Sequence, residues 1–242
     1  MSAKVWIDGY DYAVGLLRAG GDPWGQPDGM GLFCGEVLKL LSADYFMLPV
    51  APLLQKHMTQ TDGDPEDIAE ALNDAVEDGA LLGELETAIA SLSANGVLSN
   101  ILLVLPGPAT AVLSNSDEDA MDLASLALGD ILRKAGSASI VQIGLDEKHT
   151  AGLQMASSMF RIADHFGLSV AVLNHQHGEQ AAKAFPAADS SELFAQCQTI
   201  GPDAFKSGGA VNANAMDVRI MIPADSNPEF VLSRIKDLKE GA

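Results

Sequence analysis

The residue types best suited to chemistry fall close together in Asn174-His-Gln-His-Gly-Glu179. If an extended strand carries through this stretch, His175 and His177 lie two apart and point to the same face. Two imidazoles on one face, joined by the thiolate of Cys197, make three ligands suited to zinc. A fourth position stays open for water or substrate. Glu179 would then serve as a further ligand or as a general base. The same residues also read as polar loop histidines beside a buried, structural Cys197. A third reading uses His175 or His177 as a metal-free acid or base.

A second group follows the run Gln142-Ile-Gly-Leu. Here Asp146 and Glu147 could orient a substrate or a neighbouring histidine, or simply sit as acids at the start of the next helix. Trp24, between Pro23 and Pro27, reads as a lid over a pocket or as an N-terminal packing anchor. Pro106, Gly107 and Thr110 follow five unbroken apolar residues, Ile101 to Leu105. That run reads as a buried parallel strand, and the loop at its carboxyl end is where α/β proteins build substrate sites. Thr110 is the expected N-cap of the short helix beyond. Residues 29–35 are glycine-rich, but their spacing matches neither the dinucleotide fingerprint nor a P-loop. There is also no Gly-x-Ser-x-Gly nucleophile elbow.

The elements that must hold these residues alternate. Helical spacing is expected over residues 5–19, 32–41 and 51–58. Asp64-Pro65-Glu66 is a helix start whose pattern runs to residue 94, with Gly79 and Gly83 as possible breaks. Further helices are expected over 116–136, 151–166, 178–184 and 228–239. Strands are expected at 45–50, 101–105, 139–143, 169–173 and 218–222, with 193–200 a short strand or its approach. Strands alternating with helices mean parallel βαβ units with right-handed crossovers. The expected fold is a TIM-barrel-like (β/α)8 protein, incomplete or degenerate because only five or six of eight strands are visible. An open parallel α/β sheet is the alternative. The chain reads as one α/β domain over residues 1–242, with an N-terminal helical segment over 1–43.

Composition narrows the function. With 33 acidic against 14 basic residues the net charge is −19, which argues against a nucleic-acid backbone or an anionic membrane surface. Two cysteines are too few for a disulfide framework, and no apolar run is long enough to span a bilayer. The start Met-Ser-Ala-Lys-Val-Trp lacks the apolar region of a signal peptide. A soluble, cytoplasmic protein with a small-molecule ligand is expected, as a homo-oligomer or beside a larger partner subunit.

Leu103-Val-Leu-Pro-Gly-Pro-Ala-Thr-Ala-Val-Leu113 resembles the strand and Gly-Pro-x-Thr loop of the uroporphyrinogen decarboxylase and cobalamin-independent methionine synthase superfamily. The order beyond it, a long helix over 117–136 and a strand over 140–146 ending near an acid, is similar to that family's, and the likeness spans residues 45–173. The resemblance implies a (β/α)8 barrel. It also implies zinc-dependent methyl transfer, with His175-Gln-His177 falling where the family's His-x-Cys pair would and Cys197 nearer than its second cysteine. The decarboxylase branch holds substrate carboxylates with an N-terminal Arg-rich signature, whereas Arg18 is the sole arginine before Arg133. The expected function is that of a divergent barrel protein acting on a small molecule, by methyl or one-carbon-group transfer. The alternative is a non-catalytic metabolite-binding or accessory subunit.

Overall fold

The computed structural model describes residues 4–140, 142–174, 197–206 and 217–240. Among these, seven strands form one all-parallel sheet: β1 (Lys4–Asp8), β2 (Tyr45–Pro49), β3 (Ile101–Pro106), β4 (Gln142–Asp146), β5 (Ser169–Leu173), β6 (Cys197–Ile200) and β7 (Asp217–Met221). Their order across the sheet is β5-β4-β3-β2-β1-β7-β6. From β1 the chain adds β2 to β5 along one side, while β7 and β6 flank β1 on the other. The sheet is curled, and the described strands leave it open between β5 and β6.

Strand alternation divides the residues cleanly. Val5 and Ile7, Phe46 and Leu48, Leu103 and Leu105, and Val218 and Ile220 all join the large core beneath the helices. The opposite face carries Trp6, Met47, Leu102, Ala171 and Leu173, a small cluster built from strand residues alone. Trp6 stacks on Tyr45, its register partner on β2, at 3.8 Å between ring centroids. The helices therefore cover the convex face, and the concave face is left to strand side chains and whatever enters from the rim.

The helices on that convex face are α1 (Tyr10–Arg18), α2 (Met30–Leu40), α3 (Ala51–His57), α4 (Pro65–Glu77), α5 (Ala80–Ala94), α6 (Pro108–Ala111), α7 (Glu118–Ser137), α8 (Thr150–Met155), α9 (Ser157–Phe166), α10 (Asp203–Lys206) and α11 (Pro228–Glu240). Their boundaries follow local chemistry. Asp64 accepts from the Glu66 N–H at 3.0 Å ahead of α4, and Asp117 accepts from Ala120 N–H at 3.0 Å ahead of α7, each cap worth about 1 kcal/mol. Gly79, at φ 80°, separates α4 from α5, whereas Gly83 stays inside α5.

Several expectations need correction. Residues 5–19 are not one helix: Lys4-Val-Trp-Ile-Asp8 is β1, paired with both β2 and β7. The helical spacing belonged only to Tyr12, Leu16 and Leu17. Val5, Trp6 and Ile7 are a β-favouring triplet, and Gly9 turns the chain, its Cα tucked so closely that a Cβ would stand 3.0 Å from Ile222 Cβ. The segment 1–43, expected as helical, holds α1 and α2 and also supplies an interior strand. The strand expected at 139–143 lies three residues later, since Ser139, at φ 70°, still turns the chain after α7, and this makes Asp146 its last residue. The 151–166 helix is two helices, joined at Ala156.

Candidate functional site at the carboxyl rim

Arg219 lies mid-strand on β7, paired with Trp6 and facing the concave side. An arginine there must be satisfied, since burying an unpaired charge is costly. Its Nε donates to Asp8 Oδ2 at 3.0 Å, and its Nη2 makes a second bond to the same oxygen. Nη1 donates to Asn174 Oδ1 at 3.1 Å. Asn174 in turn donates from Nδ2 to Asp146 Oδ1 at 2.9 Å. The ends of β1, β4, β5 and the middle of β7 are thus tied by one polar chain across the concavity. The Arg219 side chain is 8% exposed and that of Asp8 32% exposed, so the carboxylate is the end of the pair that meets solvent.

Asp8 opens onto a cleft of about 580 Å³ over the carboxyl ends of β1, β2 and β7. Gly9, Tyr10, Asp11, Pro49, Gln55 and Met221 are among its walls. Among the described lining residues, Asp8 and Asp11 are acidic and no Lys, Arg or His contributes. Tyr10 is fixed from behind. Its hydroxyl donates to Asp22 Oδ1 at 2.6 Å, and burial, then the Asp22 bond and charge, push its pKa well above the ordinary tyrosine value.

Across the rim, Glu147 is fully buried. Its Oε2 accepts from Ala109 N–H at 2.9 Å and Thr110 N–H at 3.3 Å, and its Oε1 accepts from His149 N–H at 2.9 Å. Gly107 and Gly152 both press against it: a Cβ on Gly107 would lie 2.5 Å from the Glu147 Cβ and Oε2, and one on Gly152 would collide with the carboxylate. The Pro-Gly-Pro loop is therefore clamped from beneath by one carboxylate. Glu147 is a positioning residue in this arrangement, with both oxygens spent on backbone amides.

The expected site residues are dispersed. Asp146 faces the concavity and Glu147 the loop beneath it. Pro106 ends β3, and Gly107 N–H donates to Asp146 O at 2.8 Å. Thr110 lies within α6, which begins two residues earlier with Gly107 at the N-cap position, so it is not the cap. Trp24 is no lid: it is 1% exposed, and its indole N–H donates to Pro49 O at 3.0 Å. The packing-anchor reading holds. His175, His177 and Glu179 lie outside the described residues. Cys197 opens β6 in register with Asp217, two positions below Arg219 toward the amino end of the sheet. The rim that Asn174 reaches is at the other end. Among the described residues, no group of three or more His, Cys, Asp or Glu is placed to hold a metal ion.

Asp8 and Arg219 were the residues that sequence reasoning missed. Their signals were present: a charged residue inside each of two short β-favouring runs, Val-Trp-Ile-Asp8 and Val-Arg219-Ile-Met. Compared with family models, curated proteins and solved structures, the chain matches none.

Proposed function

We propose that this chain is a small-molecule-binding barrel protein, a divergent relative of the uroporphyrinogen decarboxylase and cobalamin-independent methionine synthase superfamily. Its ligand enters the cleft over β1, β2 and β7. The observation carrying this reading is the Asp8 carboxylate, held rigid by Arg219 from below and open to the cleft above. Preorganised polar groups at the carboxyl ends of parallel strands are the usual recognition apparatus of such folds. Arg219 binds Asp8 through one oxygen, which leaves the other to accept from a ligand. The ligand therefore carries a hydroxyl or amine donor rather than an anionic group at this end. Methyl or one-carbon-group transfer, the chemistry of the resemblance, would draw on His175 and His177 beyond Asn174.

Thermal-shift titration of the wild type and Asp8→Asn, with small amines and polyols against acids of matched size, tests this. Donor-bearing compounds raise the wild-type melting temperature through mass action, and Asp8→Asn removes the effect. Stabilisation by the acids alone, or equal shifts in both proteins, would contradict the reading.

A further inference from the structure

A second hollow, of about 420 Å³, sits on the loops after β3 and β4, lined by Ala109, Thr110, Leu113, Ser114, Asn115, Lys148 and His149. It shares no lining residue with the Asp8 cleft, and its chemistry is independent of the role of that cleft. We infer that this hollow binds a small oxyanion, the phosphate or carboxylate group of a ligand, through Thr110, Lys148 and His149.

In a chain with 33 acidic residues, the described residues around this hollow include no carboxylate, and the two ionisable groups are Lys148 and His149. The acid beneath is Glu147, whose two oxygens already accept three backbone N–H groups and which is fully buried. Those N–H groups belong to Ala109, Thr110 and His149, so the backbone of the hollow's own wall stands between this carboxylate and the hollow.

The Thr110 hydroxyl points the same way. Its oxygen is shielded from solvent and has no hydrogen-bond partner among the described residues. A buried hydroxyl is ordinarily paired; the Ala109 and Thr110 amides donate to Glu147 and not to this oxygen, and no acceptor among the described residues takes its proton. Thr110 lines the hollow, and a turn of its side chain toward a ligand oxygen there supplies the missing acceptor.

The Asn115 side-chain amide approaches His149 Nδ1 at 3.3 Å. Nδ1 accepting from that amide places the ring proton on Nε2 and makes that nitrogen a donor. Ser114 Oγ already accepts from Ser116 N–H at 3.4 Å, so its own proton is free to be given. Lysine acts here as a point charge and the hydroxyls and imidazole as directional donors, the division of labour found in oxyanion recognition.

Titration of the full chain with sodium phosphate, and separately with sodium acetate, at constant ionic strength and followed by amide NMR, tests the site. Saturable shifts at Thr110, Lys148 and His149 are expected, with Lys148→Ala and Thr110→Val each weakening binding by ~10-fold. Lys148 is exposed, so its variant keeps the fold even if Thr110→Val does not. Saturation by phosphate assigns a phosphorylated ligand, and saturation by acetate alone assigns a carboxylate. Linear, unsaturated shifts with both anions, or binding unchanged in Lys148→Ala, would overturn the inference.

Discussion

Arg219 on β7 donates to Asn174, the residue just past β5, over 3.1 Å, although five inter-strand spacings separate the two strands. At roughly 4.8 Å each, a flat sheet would hold them ~24 Å apart, far beyond the reach of the two side chains. The sheet must therefore bend its flanks toward each other, and the polar chain Asp8–Arg219–Asn174–Asp146 spans the hollow this creates. One guanidinium both records the curvature and fixes the carboxylate that faces the cleft.

Glu147 should be intolerant of even its isostere. In Glu147→Gln one acceptor oxygen becomes an NH2 group facing backbone N–H donors that it cannot serve. A loss of about 2 kcal/mol is expected, measured as a lowered urea midpoint with unchanged slope. An unchanged midpoint would mean that the clamp under the Pro-Gly-Pro loop is not formed.

Gly152→Ala addresses the same clamp from the other side. The added methyl collides with the Glu147 carboxylate and crowds Ala109 Cβ at 2.8 Å, and overpacking of this kind costs about 1–3 kcal/mol. Gly83→Ala has open space around its Cβ, sits inside α5, and should be neutral or mildly stabilising. Equal behaviour of the two variants in thermal melts would contradict the packing described.

Much of the fold was legible in the sequence, and the misses have physical causes. Asp64-Pro65 and Asp117 announced their helices because caps and first-turn acids act locally. The run Ile101–Leu105 announces β3 because Leu103 and Leu105 pack under the helices while Leu102 is buried among neighbouring strand side chains on the concave face. β1 was lost because five residues leave little periodicity, and an adjacent helix supplied a stronger pattern. Arg219 and Asp8 are 211 residues apart, so only the pairing of β1 with β7 joins them. Glu147 is visible in the sequence as an acid, yet its task depends on Gly107 and Gly152 standing aside, which no local pattern encodes.

Cys34 is fully buried on α2, and burial pushes its thiol pKa up. Because thiolate is the reactive form, Cys34 in a Cys197→Ser background should resist iodoacetamide until urea unfolds the chain. Rapid stoichiometric alkylation of the native protein, located by peptide mapping, would contradict its placement.

Alkaline stability carries a signature of Tyr10. Its folded pKa lies above the unfolded value near 10, so the neutral phenol favours the fold. That contribution is complete below about pH 10. Above it the unfolded chain ionises first, and stability falls as pH rises toward the folded value. Tyr10→Phe should remove this proton from the alkaline limb and flatten it in urea melts between about pH 9 and 11. An identical slope in wild type and variant would place Tyr10 elsewhere.

The central claim is that Arg219 and Asn174 meet across the concave face, and a double-mutant cycle in urea unfolding tests it directly. Arg219→Met and Asn174→Ala, singly and together, should show a coupling of about 1 kcal/mol, as expected for a charge-assisted bond in a partly buried site. Strictly additive losses would mean that the two residues do not touch, and that β7 and the end of β5 are not drawn together around a common site.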